Sequence, residues 1–284
     1  MNLTEQIKSM ILSGIVEEQH RKIGVEIESF YYEKGDLRRL ALDNKNKYSA
    51  IDLLSDLNKI AQDNQDTHSY SLEPGGQLEW ASSPTISLWD ILNEYSKNML
   101  AQKELCLNNA IDIGYFSVEP ISKPLDIVLI NSNKYKLMHN LFKNTGKLGS
   151  WMMRNTASIQ VNIDYTSEED ANEMAYVADA IQPLVSILFS NAPFIQGETV
   201  GTQNLRWKIW NDTDSSRCGT LFEHDIRNPK NIINDYVKWL QSRECIFIEN
   251  PDGEFNVLDG DLGSMIATEN NPKLIYSAFR QIFT

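Results

Sequence analysis

The stretch from 154 to 165, RNTASIQVNIDY, alternates polar and apolar side chains. A period of two over this length is typical of a β-strand with two different faces. One face is predicted to pack in the core: Asn155, Ala157, Ile159, Val161, Ile163 and Tyr165. The other face consists of hydrogen-bonding side chains: Arg154, Thr156, Ser158, Gln160, Asn162 and Asp164. Short neutral donors and acceptors favour a cavity that binds a polar ligand, and a solvated strand face is the alternative interpretation.

Further strand and helix patterns surround this segment. Helical periodicity predicts helices at about 5–19, 50–64, 88–112, 133–143, 168–189, 229–242 and 272–283. Strand patterns lie at about 22–31, 69–73, 77–82, 115–119, 203–210 and 245–249. Ser49, Ser87 and Ser167 each begin a Ser-x-x-Asp capping box. We therefore predict an α+β fold as a single domain, residues 1–284, with a largely antiparallel sheet and helices on one face.

Four carboxylates are candidates for a metal site. Glu26 and Glu28 point to the same side of a predicted strand, about 7 Å apart. Glu73 and Glu79 flank the Pro-Gly-Gly turn at 74–76. If this hairpin joins the same sheet, all four converge on one face, where oxygen ligands without His or Cys suit Mg²⁺ or Mn²⁺. The sequence has neither a P-loop nor a dinucleotide-binding glycine motif.

A basic cluster lies between 206 and 217 in an otherwise acidic chain. Arg206, Lys208 and Arg217 alternate there with Trp207 and Trp210. Arginine is the usual ligand for carboxylates and phosphates, so the cluster is a candidate site for an anionic substrate. Pairing of these arginines with Asp212 and Asp214 at the surface is the alternative.

The composition excludes several kinds of partner. Lys and Arg total 26 against 39 Asp and Glu, a net charge of −13, whereas nucleic acids and anionic membranes bind basic surfaces. The cysteines at 106, 218 and 245 are odd in number and far apart, so neither a zinc ribbon nor a disulfide framework is expected. A reduced cytoplasmic location fits them. No apolar run approaches the roughly 18 residues of a membrane-spanning helix.

Five segments, in this order, resemble the glutamate–cysteine ligase family of the plant and proteobacterial type. They are IGVEIESF, LEPGGQLEWASSP, MMRNTASIQVNIDYTSEED, LFSNAPFIQG and WNDTDSSRCG. The resemblance implies a fold like the catalytic domain of glutamine synthetase, an antiparallel sheet curved into a half-open funnel with helices on its outer face. It also implies an ATP- and Mg²⁺-dependent ligase that joins the γ-carboxylate of glutamate to an amine, first of all cysteine, through a γ-glutamyl phosphate.

The resemblance implies roles for individual residues as well. Glu26, Glu28, Glu73 and Glu79 resemble metal ligands on the inner wall of the funnel. The residues that resemble a substrate pocket are Arg154, Thr156, Gln160 and Asn162, with Arg206 and Trp210 as part of a glutamate site. Arg217 resembles a catalytic contact to the phosphate or acyl phosphate.

Family members continue beyond the position of SAFRQIFT through another sheet strand and a helical region. This chain is therefore expected to lack the C-terminal part of the family. One sheet edge is then expected to be open and to favour self-association or pairing with a partner chain. Two alternatives stay open: ligation of another amine in a specialised pathway, and a non-catalytic or partner-dependent subunit.

Overall fold

The computed structural model describes residues 2–35, 37–250, 253–268 and 272–282. Its helices are α1 (Leu3–Leu12), α2 (Ala50–Asn64), α3 (Leu88–Asn108), α4 (Asn133–Thr145), α5 (Gly149–Asn155), α6 (Glu168–Leu188), α7 (Leu205–Asn211), α8 (Ile232–Gln241), α9 (Leu262–Thr268) and α10 (Pro272–Phe279). Its strands are β1 (Ile23–Glu33), β2 (Ser69–Leu72), β3 (Leu78–Ala81), β4 (Ile111–Gly114), β5 (Ile159–Ile163), β6 (Phe194–Ile195), β7 (Glu198–Thr199), β8 (Ile248–Glu249) and β9 (Phe255–Asn256).

An antiparallel sheet of five strands is built around β1. On one edge, β3 pairs with β1 and β2 pairs with β3. On the other edge, β5 pairs with the first half of β1 and β4 with the second half. The pairs β6–β7 and β8–β9 form separate two-stranded sheets. The prediction of an α+β fold with a largely antiparallel sheet is confirmed.

Helices α2 and α3 cover one face of this sheet. Leu53 and Leu57 of α2 and Ile91 of α3 are buried in one apolar cluster with Tyr31 of β1 and Trp80 of β3. Burial of this apolar surface is the main force that holds the two helices on the sheet. The opposite face therefore remains for polar side chains.

A second apolar cluster holds three helices beside the polar face. Phe142 of α4, Met153 of α5 and Ile209 of α7 are buried in it. These helices supply the charged side chains that approach the sheet. A third cluster joins α1, α8, α9 and α10. No helix in the described ranges is both long and apolar enough to cross a membrane.

The three expected capping boxes differ in the structure. Ser49 and Asp52 form both hydrogen bonds of the box at the start of α2. Ser167 caps α6 by accepting from the backbone N–H of Asp170, whereas Ser87 makes no side-chain capping bond at α3. The Ser-x-x-Asp pattern thus located helix starts better than it located complete boxes.

The strand predicted at 203–210 is wrong, because this segment forms helix α7. Asn204 starts the helix by accepting the backbone N–H of Trp207 on its side chain, at 3.1 Å. Leu205 and Ile209, four residues apart, are both buried, which is the spacing of one helix face. The alternation of apolar and polar residues in LRWKIW also fits a strand, and packing on α5 decides between the two.

The strand predicted at 154–165 is shorter, and its apolar face is not in the core. Residues 154 and 155 end α5, and β5 covers only Ile159–Ile163. Ile159, Val161 and Ile163 are 71%, 56% and 48% exposed. They lie opposite Ile27, Val25 and Ile23 of β1, on the face that α2 and α3 cover, but they are outside the apolar cluster that these helices form with β1 and β3. The strand predicted at 115–119 is also wrong, since β4 ends at Gly114.

Candidate active site on the polar face of the sheet

The polar face presents a row of acidic side chains, called here the acidic row: Glu26, Glu28, Glu73 and Glu79. Glu28 of β1 lies directly opposite Glu79 of β3, and Glu79 lies opposite Ser71 of β2. Glu26 lies opposite Gln160 of β5. Residues directly opposite in antiparallel strands share a face. The pairing therefore brings the carboxylates of β1 and β3 together, as the sequence predicted.

Neutral side chains of β5, and of the residue directly before it, donate hydrogen bonds to the two carboxylates of β1. Asn162 Nδ2 donates to Glu26 Oε1 at 3.0 Å. Ser158 Oγ and Gln160 Nε2 both donate to Glu28 Oε1, at 3.0 and 3.4 Å. The structure thus places Gln160 and Asn162 beside the acidic row. Their role as substrate-pocket residues stays a prediction.

The hairpin supplies the other two carboxylates. Ser71 Oγ donates to Glu79 Oε1 at 2.9 Å. Glu73 follows β2 at the start of the turn and interacts electrostatically with Glu28 and Glu79. Like charges opposite one another destabilise a sheet, so this arrangement has a cost in the absence of a cation.

Burial, with a smaller contribution from the neighbouring carboxylates, raises the pKa values of two members of the acidic row. Burial raises the pKa of Glu28 to about 7, and the charge of Glu79 adds to the rise, while the hydroxyl of Ser158 and the charge of Arg206 oppose it. Burial also raises the pKa of Glu73 to about 7, with further contributions from Glu28 and Glu79. Near neutral pH these two carboxyl groups are therefore divided between protonated and ionised forms.

A divalent cation fits the donor chemistry of this row. In the described part of the chain, no three acidic, histidine or cysteine side chains are already grouped to hold a metal ion, because Glu26, Glu28 and Glu79 each turn to a different neutral donor. A cation bound beside these carboxyl groups would favour their ionised forms and lower their raised pKa values, and Mg²⁺ and Mn²⁺ prefer oxygen ligands. The assignment of the acidic row as metal ligands stays a prediction.

The Pro-Gly-Gly turn between Glu73 and Glu79 packs closely against the end of α5. Gly76 has a φ of 77°, in the left-handed region that favours glycine. A Cβ on Gly75 would lie 2.6 Å from the Cα of Arg154 and 2.7 Å from its carbonyl oxygen. Backbone contacts that short do not occur, so only glycine lets the turn lie against the end of α5.

Two buried side chains anchor this turn. Arg39, only 7% exposed, donates from Nη2 to the carbonyl oxygen of Gly75 at 3.0 Å. Gln77, 2% exposed, donates from Nε2 to the carbonyl oxygen of Thr156 at 2.8 Å. The glutamates at the two ends of the turn are thereby fixed relative to the sheet.

Arg206 and Trp210 approach the acidic row from α7. Arg206 interacts electrostatically with Glu28, and its Nε donates to the carbonyl oxygen of Ala157 at 3.1 Å. Burial lowers the pKa of Arg206, and the charge of Glu28 opposes this shift. Its guanidinium lies 5.4 Å from the ring centroid of Trp210. The structure therefore brings this predicted pair to Glu28 of the acidic row.

A second cationic group, which no sequence pattern indicated, consists of two residues: Lys134 of α4 and Arg280 directly after α10. Burial lowers the pKa of Lys134, the charge of Arg280 lowers it further, and the charge of Glu73 opposes both. Lys134 and Arg280 are thus close to each other, and Lys134 is close to Glu73. No local pattern joins two cations so far apart in sequence, and only the packing of α4 and α10 reveals them.

Arg154 and Thr156 direct their hydrogen bonds elsewhere. Arg154 Nε donates to the carbonyl oxygen of Ile127 at 3.1 Å, and its Nη1 lies 3.3 Å from His139 Nδ1. Thr156 Oγ1 donates to the carbonyl oxygen of Met152 at 2.7 Å. Both residues lie at the end of α5, behind the turn, rather than on β5. Their roles as substrate-pocket residues stay predictions.

Arg217 is fully buried. Its Nε donates to Asp214 Oδ2 at 2.7 Å, and its Nη1 donates to the carbonyl oxygens of Glu244 and Gln281, at 3.0 and 3.3 Å. Nη2 has no hydrogen-bond partner in the described ranges. Its ion pair with Asp214 is thus internal, not at the surface. The catalytic role of Arg217 stays a prediction.

Comparisons with known proteins agree with one family. The family model described as Glutamate-cysteine ligase family 2 (GCS2) matches residues 22–236. Glutamate–cysteine ligase A, chloroplastic, of Oryza sativa subsp. indica is 31% identical over 76% of this chain and 46% of its own length. The chloroplastic glutamate–cysteine ligases of Medicago truncatula and Nicotiana tabacum are 32% and 28% identical, over 77% and 97% of this chain and 45% and 57% of their own lengths. The chain spans about half the length of the curated relatives it matches.

Proposed function

This chain belongs to the glutamate–cysteine ligase family, and we propose that it is an ATP-dependent ligase that joins the γ-carboxylate of glutamate to an amine. The observation that supports this most is the acidic row with Arg206 at one side and Lys134 at the other. Carboxylates suit a divalent cation, and flanking cations suit anionic substrates. The chain spans about half the length of these relatives. The activity of the whole enzyme is therefore proposed, not established, for this chain.

We propose that Glu26, Glu28, Glu73 and Glu79 hold Mg²⁺, with Mn²⁺ as the alternative. A divalent cation bound there would offset the negative charge of the nucleotide phosphates. Lys134 and Arg280 would bind phosphate oxygens at the hairpin end of the row. Arg206, held in place by the carbonyl of Ala157, would bind a carboxylate of glutamate.

In the proposed reaction, an oxygen of the γ-carboxylate attacks the γ-phosphorus of ATP, and ADP leaves. The product is γ-glutamyl phosphate. The lone pair of a neutral amine then attacks its carbonyl carbon, phosphate leaves, and the new amide nitrogen loses a proton to solvent. A carboxylate needs this activation because oxide is a very poor leaving group. The catalytic contact expected of Arg217 would use Nη2, the group with no hydrogen-bond partner in the described residues.

Cysteine is the acceptor proposed first, because the relatives reported above are named as glutamate–cysteine ligases. Another small amine is the alternative. Cys106, Cys218 and Cys245 are free and buried, which supports a reducing, cytoplasmic location. The relatives are named as chloroplastic proteins, so the location is a separate proposal for this chain.

Phosphate release from ATP tests the function. We expect release to need glutamate and to become faster when cysteine or 2-aminobutyrate is added. Arg206→Gln should raise the KM for glutamate by at least ~10-fold, about 1.4 kcal/mol, because it removes the cation beside Glu28. Lys208→Gln, which removes an exposed cation from the same helix, is the matched control and should leave this KM unchanged.

Three other results would change the assignment. Stimulation by aspartate but not by glutamate would contradict the donor. Activity with an unrelated amine and none with cysteine would favour the alternative acceptor. Absence of both phosphate release and ATP binding would favour a non-catalytic subunit.

We also propose that a strand from a second copy of this chain pairs along the open edge of β5. In the described ranges β5 pairs only with β1, and Ile159 and Val161 are largely exposed. An unpaired edge with apolar side chains is a template for another strand. Light scattering should show self-association that Val161→Lys reduces and that Ile86→Lys, at an exposed residue outside the sheet, does not. A chain that stays monomeric at all concentrations would contradict this proposal, and association only with a different protein would identify another partner.

A further inference from the structure

One fully buried carboxylate has no part in the proposed reaction. Glu119 lies in the loop after β4 and is 0% exposed. Its Oε2 accepts the backbone N–H groups of Ile121, at 3.1 Å, and of Ser122, and also the side-chain amide of Asn155, at 3.4 Å. Its Oε1 accepts the hydroxyl of Tyr32 at 3.4 Å. Donors of this kind favour the ionised carboxylate, and a buried charge needs an opposite charge nearby.

Arg39 supplies the opposite charge. It pairs with Tyr32 in an isolated antiparallel bridge, and its guanidinium lies 4.6 Å from the ring centroid of Phe30. Burial lowers the pKa of Arg39, and interactions with Tyr32 and Glu119 oppose this shift. Burial raises the pKa of Glu119, and the charge of Arg39 opposes that shift. Each of the two groups therefore favours the ionised form of the other.

The guanidinium of Arg39 also connects this pair to the Pro-Gly-Gly turn. Its Nη2 donates to the carbonyl oxygen of Gly75 at 3.0 Å, and its Nη1 donates to the carbonyl oxygen of Arg154 at 3.4 Å. Arg154 and Asn155 are the last two residues of α5, and Asn155 is one of the donors to Glu119. A single arginine thus links the hairpin, the end of α5 and the loop of Glu119.

The position of the turn determines the position of two members of the acidic row. Glu73 and Glu79 lie at its two ends, and the N–H of Gly76 donates to the carbonyl oxygen of Glu73 at 2.8 Å. Glu28 lies on β1 and is held separately, by the hydroxyl of Ser158. Oxygen ligands of Mg²⁺ must lie at about 2.0–2.1 Å from the ion. A turn that moves relative to β1 would therefore separate the proposed ligands.

We propose that Arg39 is a positioning residue for the acidic row, and that Glu119 acts through Arg39 by holding its guanidinium in place. This inference rests on the metal site of the proposed function, and it extends that site to two residues that are assigned no contact with the cation or a substrate. Because Arg39 binds the backbone of the turn, it places Glu73 and Glu79 and leaves their carboxylates available to the cation.

The direction of the effect separates positioning from simple electrostatics. Removing a cation near carboxylates should by charge alone strengthen their binding of a divalent cation. Arg39→Met should instead weaken Mn²⁺ binding by at least ~10-fold, because the turn loses its link to α5. Electron paramagnetic resonance of free Mn²⁺ measures this affinity without nucleotide or turnover. Arg38→Met, which removes a neighbouring cation whose side chain is 64% exposed, is the matched control and should not weaken binding.

The role of Glu119 is tested in two backgrounds. Glu119→Gln should weaken Mn²⁺ binding by at least ~3-fold in the wild type and should have no further effect in Arg39→Met. An equal effect in both backgrounds would show that Glu119 acts by its charge and not through Arg39. The double variant leaves neither charge buried without the other, so it should fold even if Arg39→Met does not. Its affinity for Mn²⁺ should still be at least ~10-fold below that of the wild type.

Hydrogen exchange gives a second measurement, in the cation-free protein. The N–H of Gly76 should exchange at least ~10-fold faster in the double variant, because the turn opens locally. The N–H groups of Leu53 and Leu57, which are buried in α2, should exchange at the wild-type rate. An equal rise at all three positions would indicate a general loss of stability and would overturn the positioning role.

The outcomes keep this inference distinct from the proposed function. If phosphate release requires glutamate but Arg39→Met and the double variant bind Mn²⁺ as the wild type does, the ligase function stands and the inference is wrong. If release never occurs but both variants weaken Mn²⁺ binding, the inference stands and the ligase function fails. A wild-type chain that binds no Mn²⁺ would overturn both the metal assignment and the inference.

Discussion

Replacing Arg217 with methionine should lower the free energy of unfolding by about 3–5 kcal/mol. The guanidinium is fully buried, and its Nε donates to Asp214 Oδ2 at 2.7 Å. Methionine keeps much of the volume but leaves the carboxylate of Asp214, only 3% exposed, as a buried charge without its cation. It also leaves the carbonyl oxygens of Glu244 and Gln281 without the hydrogen bonds from Nη1. Urea denaturation measures the loss.

An exposed pair provides the matched control for this prediction. Arg227 and Asp225 form an ion pair at 3.0 Å, with side chains that are 65% and 88% exposed. Exposed ion pairs contribute about 0–1 kcal/mol, so Arg227→Met should have a small effect. A loss below about 1 kcal/mol for Arg217→Met would show that the buried network does not stabilise the fold.

A charge-conserving variant separates the structural role of Arg217 from the predicted catalytic role. Arg217→Lys retains the charge beside Asp214 but loses Nη2, which has no hydrogen-bond partner in the described part of the chain. If this variant stays folded and loses phosphate release, the predicted contact between Arg217 and the phosphate is supported. If it stays folded and retains release, Arg217 acts only by holding the fold together.

The side-chain pattern within single strands allowed much of the acidic row to be predicted. Glu26 and Glu28 share a face because a strand has a period of two, and the short Pro-Gly-Gly turn fixes the position of Glu79 in the hairpin. The turn does not by itself fix the pairing of the hairpin with β1, so the register of Glu28 opposite Glu79 came only from the structure. Local sequence rules therefore defined each strand but not their alignment.

Other features depend on distant packing and left no local pattern. Lys134 and Arg280 come together only when α4 and α10 are in place. Arg217 looks the same in sequence whether its guanidinium is buried or faces a ligand. The helical spacing of Leu205 and Ile209 competes with a strand-like alternation in the same residues, and burial on α5 decides the outcome. The exposed apolar face of β5 could not be predicted either, because alternation shows two faces but not what covers them.

The acidic row makes the stability of the protein depend on pH in the absence of divalent cations. The pKa of Glu28 is raised by burial from 4.5 to about 7. The folded state therefore binds this proton more tightly than the unfolded state does, and folding becomes less favourable as the pH rises from about 4.5 to about 7. Above pH 7 the Glu28 carboxylate is ionised in both the folded and the unfolded state. The folded state then carries the full free-energy cost of burying this charge on the polar face.

Glu28→Gln should therefore stabilise the cation-free protein by about 3 kcal/mol at pH 8, since the pKa shift is about 2.5 units and one unit corresponds to about 1.4 kcal/mol. Glutamine retains the oxygen that accepts from Ser158 but has no charge to repel Glu79. At pH 4.5, where Glu28 is largely protonated in the folded protein, the two proteins should be nearly equal in stability. The measurement is urea denaturation across this pH range in a chelating buffer.

Adding Mg²⁺ at pH 8 should narrow the difference in stability between the wild type and Glu28→Gln. A cation near the acidic row interacts more favourably with the ionised carboxylate of the wild type than with the neutral amide of the variant. Glu104→Gln, on the exposed side of α3, removes a carboxylate outside the site and should give a pH dependence equal to that of the wild type. If Glu28→Gln is no more stable than the wild type at pH 8, the ionised carboxylate has no cost on this face. If Mg²⁺ stabilises both proteins equally, the cation does not bind beside Glu28, and the metal site lies elsewhere.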